Sequence, residues 1–455
     1  MDYQLTPLGR QIGVFAREAV GVSYRLTAEL ITPVATYPVM MVTQLHTIRN
    51  FEKAVGDEVY IDVKFPPFQY QNDILPYQQQ LKLRLIVTAY ATLRSKADQV
   101  DETPRAYVYR AVCLSTFDTN LGNSNELSAV EGKRIDLEKT RDIQFQLFDP
   151  VLESFMQSET GDNYYGSTVD NILGIEFGKI LQGVESDTGF KMRGVDIAKP
   201  QNQDPVKLLM IPHGQSAIDL VDTVQNQVGI YTTDVGCYYQ SPFMYIYPLY
   251  DEERYENAQK VAVFYNYPTD KFPGIEKTWI KRPNFVEIAC TRSSVAVDTS
   301  NTQQLLGGTG GRFTSASNLS KGMTDTKDGE TLISRTMNNS EYVTNERSDG
   351  VKLAKGAGTV TDNRYRELSK TAARRGRTLV MAWEHANIDL LYPNIPSKVL
   401  WIEQSQLREA KGGVLQAEAT ITMAGSSFKE PQWNCHGSVT LWLGPKEKDV
   451  IRPLS

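Results

Sequence analysis

Strict period-two alternation constrains this chain most. In the run LKLRLIVTAY, Leu81, Leu83, Leu85 and Val87 alternate with Lys82, Arg84, Ile86 and Thr88. A strand sends successive side chains to opposite faces, so such a run offers one face to a core and one to water. Val59 to Phe65, closed by Pro66 and Pro67, and Tyr107 to Thr116 (YVYRAVCLST) read as further strands, with the turn-like QNDILPY after the first. Together they predict a β-rich first domain ending near the charged stretch Glu131 to Asp149.

The middle of the chain changes period. Val169, Leu173, Phe177 and Leu181 recur at helical spacing, and Ile211–Pro212 leads into a second helical stripe of Ala217, Leu220, Val224 and Val228, with Ile218 and Val221 beside it. Ser216 with Asp219 three positions on predicts a capping box, and Gly229 a stop. The runs GIYTTDVG, SPFMYIYPLYD and KVAVFYNYP then read as short strands, which makes the middle an α+β unit.

From Thr291 to about Val360 the large apolar residues thin out, with GGTGG at 307–311. Such a segment cannot bury enough surface to fold alone, and so long an excursion in a compact domain is functional or disordered. Asp362 is an N-cap candidate for a basic helix, RYRELSKTAARR, stopped by Gly376. Four strand candidates close the chain: RTLVMAWEH, SKVLWIEQ, GVLQAEATITMAG and HGSVTLWLG, with Leu415, Ala417, Ala419, Ile421 and Met423 on one face of the third. The predicted class is α+β, mainly β. Its predicted domains are a β-rich unit at 1–150, an α+β middle at 151–250, a second β domain from 251–300 and 361–455, and a polar, flexible insertion at 301–360.

Composition narrows the function. At 455 residues the chain exceeds one ordinary core, and 41% apolar with 22% charged residues is that of an average soluble protein. A net charge of -6 argues against wholesale phosphate binding. Cys113, Cys237, Cys290 and Cys435 are scattered with no C-x-x-C pair, which suits reduced thiols in a cytoplasmically made chain and offers no zinc framework. MDYQLTPLGR is not a signal peptide, and the apolar runs fall short of a membrane helix, so no stable membrane insertion is expected.

Catalytic signatures do not accumulate. His46, His213, His385 and His436 stand apart, with no H-E-x-x-H spacing, and read as packing or surface residues. Gly307 to Arg312 lacks the Lys and Ser or Thr of a phosphate loop, and no G-x-S-x-G elbow is present. The carboxylates of Glu126 to Asp149 are interleaved with Lys133, Arg134, Lys139 and Arg141, the mark of a solvated face or polar interface. Arg364, Arg366, Lys370, Arg374, Arg375 and Arg377 fit a solvated helix face better than a nucleic-acid contact, given the acidic total, with a polar subunit interface as a third reading. No catalytic, cofactor-binding or metal-binding residue is therefore assigned, and no cofactor. The 23 tyrosines, many in runs such as CYYQSPFMYIYPLY, leave interface contact and plain sheet propensity both open.

Two stretches carry a family resemblance. The segment from Ile211 to Asp251 resembles the middle domain of phage baseplate hub proteins, on Ile211, Pro212, Ile218, Val224, Gly229 and Ile230 and then Tyr231, Tyr247, Pro248 and Leu249. Asp362 to Leu443 resembles the hub's closing β-barrel domain, with Ala372 and Ala373 in its helix, LYPNIPSKVLWI, and a final strand pair. The likeness covers roughly the last half of the chain and is one of pattern and order. It departs at Asn394-Ile395-Pro396, where Pro-Gly is more usual, and in the length of the polar insert.

The resemblance implies a non-enzymatic protein of a contractile tail. Each chain would carry two tail-tube-like barrels, so that three chains set six barrels in a ring between a six-fold tube and a three-fold spike. Implied partners are two further copies of the chain, the tail spike, tube or tube-initiator proteins, baseplate wedge proteins and a tape-measure protein, with genomic DNA only in transit. The implied location is the virion's tail tip, after synthesis in the bacterial cytoplasm. Another tail component, a cell-wall-degrading enzyme and a glycan-binding receptor protein are the alternatives.

Overall fold

The computed structural model describes residues 6–66, 69–93, 97, 100–114, 141–190, 192–231, 233–272, 276–298, 376–424 and 431–453, with the backbone of short strands between 312 and 356. The expected polar insertion lies largely outside these residues. So do GGTGG, the basic helix after Asp362 and the carboxylates from Glu126 to Lys139.

Strands dominate. After helix α1 (Pro7–Glu18) come β1 (Val22–Ile31), β2 (Thr36–Pro38), β3 (Met41–Asn50), β4 (Glu58–Phe65), β5 (Lys82–Ala91), β6 (Arg105–Cys113) and β7 (Arg141–Phe148). The middle holds α2 (Pro150–Gln157), β8 (Glu159–Tyr164), α3 (Val169–Thr188), β9 (Gly194–Ile197), β10 (Leu209–Ser216), α4 (Leu220–Gln227), β11 (Asp234–Gln240) and β12 (Phe243–Leu249). Then follow β13 (Val261–Asn266), β14 (Trp279–Lys281) and β15 (Phe285–Asp298). The short strands β16 (Arg312–Ser315), β17 (Thr326–Lys327), β18 (Glu330–Thr331), β19 (Tyr342–Val343) and β20 (Ala354–Gly356) pair only with one another. The chain closes with β21 (Arg377–Glu384), β22 (Pro396–Glu403), β23 (Gln406–Ala424), β24 (Gln432–Leu443) and β25 (Val450–Pro453).

Strand pairing closes two rings. One runs β23–β3–β4–β7–β6–β5–β1–β24 and returns to β23, the other β23–β22–β13–β15–β21–β24 and back to β23. The hairpin β23–β24 therefore belongs to both barrels. Its length follows from that double duty: nineteen residues of β23, at about 3.3 Å each, span roughly 60 Å, far beyond the usual strand. The change of partner is sharp. β23 pairs β22 through Gly413 and β3 from Gln416 onward. Between them a bulge interrupts its ladder with β24, from Val414 to Gln416. A bulge bends and twists a strand locally, which lets one strand serve two curved walls.

Several barrel strands bury alternate residues. β4 buries Val59, Ile61, Val63 and Phe65, β7 buries Ile143, Phe145 and Leu147, and β21 buries Leu379, Met381 and Trp383. One continuous apolar core fills both barrels. A second core belongs to the middle unit, where α3 supplies Val169, Leu173, Phe177 and Val184 and α4 supplies Leu220, Val221 and Val224. A smaller cluster holds α1, whose Leu8 and Phe15 pack with Tyr267, Ile280, Ala289 and Leu407 of the second barrel. Thr6 caps α1 by accepting from Gly9 N at 3.0 Å, ahead of Pro7. Among the described residues no helix is long and apolar enough to cross a membrane.

Several local expectations are corrected. β structure begins at Val22, well before Val59. Arg141–Phe148, placed within a charged stretch, is a barrel strand because Ile143, Phe145 and Leu147 alternate inward. Ile211 and Pro212 lie in β10, and Ser216, its last residue, makes no side-chain cap: a single 3-10 turn, Ala217–Asp219, intervenes before α4. The strand expected in GIYTTDVG starts only at Asp234, because Gly229 (φ 76°) turns the chain and Gln225 Oε1 accepts from Ile230 N and Tyr231 N. β15 runs on to Asp298, past the expected loss of order at Thr291.

Candidate functional surfaces and the joint between units

The joint between the barrels and the middle unit centres on Arg49, whose side chain points inward from β3. Its Nε donates to Asp57 Oδ2 (3.1 Å), Nη1 to the Ile388 carbonyl (2.9 Å) and Nη2 to Asp389 Oδ1 (2.8 Å). Tyr238, from β11 of the middle unit, donates to the other oxygen of Asp57 at 2.7 Å. Burial opposes the charge on Arg49, but Asp57 and Asp389 outweigh it and raise its pKa. One guanidinium thus ties together both barrels and the middle unit.

The tyrosine runs serve the same joint. Tyr247 donates to the Phe51 carbonyl and Tyr250 to Glu52 Oε1, each at 2.7 Å. Tyr238 meets the Phe51 ring edge-on at 4.9 Å, and Tyr250 meets Trp442 at 5.7 Å. Burial pushes the Tyr238 and Tyr247 hydroxyls far above their ordinary range, so both remain donors. These rings form an interface within the chain. Asn394, in the departing turn Asn394-Ile395-Pro396, adds a bridge. It is buried at φ 49°, donates to Val414 O (3.2 Å) and accepts from Arg254 Nη1 (2.6 Å), while Arg254 also donates to Pro248 O.

The four histidines stay apart. His46 sits 3.2 Å from Glu418 and 3.3 Å from Thr420 Oγ1, His436 lies 2.5 Å from Glu384, and His385 occupies a left-handed turn (φ 48°) near the Val22 carbonyl. His213 lies against Gly161. Among the described residues no three His, Cys, Asp or Glu side chains gather as a metal site. None of the four cysteines forms a disulfide, and burial pushes Cys237 and Cys435 up to about 12.

Two ionic clusters need a chemical reading. Glu176 on α3 is buried, accepting from Thr160, Tyr164 and Lys179. Burial would raise its carboxyl, but the hydrogen bonds from Lys179, Thr160 and Tyr164 outweigh it and hold the carboxyl below the usual range. A cleft beside β23 is lined by the exposed Glu253 and by Glu252, Glu256, Glu409 and Asp449, which are ion-paired to Lys448, Lys411, Lys398 and Arg377 respectively. Those four pairs hold the cleft's walls together. Arg377, the sole described member of the basic run, is buried against Asp449 and is no part of a solvated face.

A polar face runs across both barrels. On β23, Gln416 lies between Thr440 and Asn50, and Glu418 between Ser438 and Ile48. Thr420 lies between His436 and His46, and Thr422 between Asn434 and Gln44. Glu384 of β21 continues the row beyond His436, and Tyr60 of β4 and Gln146 of β7 continue it beyond His46. The other side of the same strands carries Ala417, Ala419, Ile421, Cys435 and Val439, all in the core.

No family model and no curated protein matches the chain. Among solved structures it is similar to the 43 kDa tail protein of prophage MuSo2 from Shewanella oneidensis, at 11% identity, covering 95% of this chain and all of that one, with a TM-score of 0.43. It is also similar to a chain of the Francisella PdpA-VgrG complex (10% identity, 98% of this chain, 62% of that one, TM-score 0.43). A third is the Escherichia coli c3393 protein, described as a component of the type VI secretion system with structural similarity to phage T4 tail proteins gp27 and gp5. It shows 9% identity and a TM-score of 0.40, covering 93% of this chain and 79% of that one.

Proposed function

We propose that this chain is a structural protein of a phage tail, the baseplate hub, acting as a ring of three between tail tube and spike. The observation that carries this reading is the pair of closed barrels sharing β23 and β24. One chain thereby offers two barrel walls in a fixed relation, and three chains offer six, which would let a three-fold assembly meet a six-fold one. The joint at Arg49 supports it, because a symmetry adaptor needs its barrels held rigidly. The resemblance of Ile211–Asp251 and Asp362–Leu443 to hub domains points the same way.

On this reading the protein works by shape. Its partners are two further copies, the spike below, the tube or its initiator above, and wedge and tape-measure proteins around and within. DNA passes through without a lasting contact, and the protein resides at the virion's tail tip after assembly in the bacterial cytoplasm. Native mass spectrometry of the purified chain tests the proposal. A species of three chains is expected, and a strict monomer, alone and in isolated tails, would overturn it.

A further inference from the structure

Helix α1 leads into β1 of the first barrel but lies on the second. Its stripe of Leu8, Ile12 and Phe15, at spacings of four and three, packs against the outer side of β13, β15 and β22. Phe15 meets Tyr265 edge-on at 5.5 Å and Tyr267 at 6.2 Å. Gln11 Nε2 donates to Glu287 Oε1 (2.8 Å), which also accepts from the Tyr265 hydroxyl (2.9 Å). At the carboxyl end of the helix, Lys277 Nζ donates to the Ala16 carbonyl and Arg282 Nη2 to Glu18, each at 2.6 Å. Cations placed there suit the last carbonyls, which a helix cannot pair itself.

The seat under α1 is separate from the core of the barrels. Along β13, Phe264 belongs to the main core and Tyr265 to the cluster around α1. Along β15 the division falls between Ile288 and Ala289, and along β22 between Val399 and Leu400. β13 pairs with β15 on one side and β22 on the other, so α1 completes no strand edge. The second ring can therefore stay closed when α1 leaves. Val20, just past the helix, holds the chain to that barrel by exchanging backbone bonds with Trp279 at 2.8 and 2.9 Å. Ala19 between them is extended (φ -70°, ψ 153°), which puts the hinge there. Freed, a twelve-residue helix containing Gly9 and Gly13 is marginal in water, so α1 owes its order to its seat.

We propose that this seat is a docking groove for an amphipathic helix, which α1 vacates while both barrels stay shut and which α1 of a second copy then takes. The occupant is read from the resident. The groove asks for an aromatic ring at Tyr265 and Tyr267, an amide at Glu287 and a carboxylate at Arg282, and α1 supplies Phe15, Gln11 and Glu18. Exchange of one element between identical copies is a low-cost route to association, because the contacts made in trans equal those given up in cis. The proposal does not need the ring of three and stands or falls apart from it.

Hydrogen exchange of the full-length parent, read by mass spectrometry, tests the opening. Amides of α1 are expected to exchange at least about tenfold faster than those of β13 and β15, with a weaker response to dilute urea. Exchange no faster than in those strands means that the helix leaves only when the barrel unfolds, and overturns the proposal. A fluorescein-labelled synthetic peptide of residues 6–19 tests the docking. It is expected to bind full-length Phe15→Ala at least about tenfold more tightly than the parent, whose own helix holds the seat at high effective concentration. Equal binding to both chains, binding to neither, or equal binding of a scrambled peptide of the same composition overturns it. Should Phe15→Ala lose the parent's cooperative melt, Gln11→Ala/Glu18→Ala, which keeps the apolar stripe, takes its place with the same expectations.

Discussion

Arg49 Nη2 donates to Asp389 Oδ1 at 2.8 Å across 340 positions of the chain. The same guanidinium holds Asp57, so its loss leaves Asp57 with Tyr238 and the half-exposed Asp389 with Arg105. Losing hydrogen bonds from a buried charged group costs about 1.5–3 kcal/mol. Arg49→Ala is therefore expected to lower the unfolding free energy by that order, read from urea melts. Because the joint ties separate units, limited proteolysis should also release the middle unit as a discrete fragment. A variant as stable as the parent, with no new fragment, would show that the tyrosines alone hold the joint.

Gly412 sits on β23 just before its change of partner, opposite Leu443. A methyl group there would collide with the Trp442 carbonyl, which is backbone and cannot swing aside. Overpacking of this kind costs about 1–3 kcal/mol. Gly412→Ala is expected to lose that much in a thermal melt, while Gly174→Ala, on a helix with open space at the new methyl, is expected to gain a few tenths of a kcal/mol.

How much of this was legible follows from where each signal lives. The alternation in β5 is local, so Leu81 to Thr88 announces its strand. β3 hides its own: a register shift between Val42 and Gln44 breaks the alternation, and the inward residue Arg49 reads as a surface cation. The tyrosine runs were visible as amphipathic groups, but a ring suited to an interface between chains suits one within a chain equally well. Only the tertiary contact of Tyr238 with Asp57, 181 positions away, decides. The polar face has the same divided character. Gln416, Glu418, Thr420 and Thr422 alternate visibly with the apolar stripe of β23, yet their continuation onto β3 and β4 depends on register that no short window contains.

Asn394 makes a sharper test of local chemistry. It stands at φ 49°, where residues other than glycine are strained and asparagine is tolerated best. It also satisfies Arg254 and the Val414 carbonyl. Glycine keeps the backbone and loses the hydrogen bonds, whereas alanine loses both. Asn394→Ala is expected to cost about 2–4 kcal/mol and Asn394→Gly about 1–3, on the usual costs of strain and of an orphaned buried partner. Reversal of that order in denaturant melts would show that the φ value is not what selects asparagine here.

Glu176 sets an acid limit on the middle unit. Its folded pKa is lowered, so it contributes stability above the unfolded carboxyl value of about 4.3, and that contribution is lost as pH falls through the lower folded value. Stability of the parent should therefore begin to fall once pH drops below about 4.3. Glu176→Gln should flatten that limb while lowering stability near neutrality, since Lys179 then loses its buried partner. Melts of both proteins across this range read the slope directly.

The buried thiols report whether the two barrels open as one. Thiolate is the reactive form, and burial pushes the Cys435 thiol up to about 12, so the folded protein keeps it protonated near neutral pH. Cys435 lies on β24, shared by both rings, and Cys290 on β15 of the second ring alone. Both are buried, so labelling by a disulfide reagent must wait for opening of the strands around them. If the shared hairpin makes the barrels a single cooperative unit, Gly412→Ala should speed labelling of Cys290 and Cys435 by the same factor. A destabilisation of about 1.4 kcal/mol corresponds to tenfold where opening is a rapid pre-equilibrium. Acceleration at Cys435 with Cys290 unchanged would mean that β24 can leave the first ring while the second stays shut, and the hairpin would then be a seam between independent barrels.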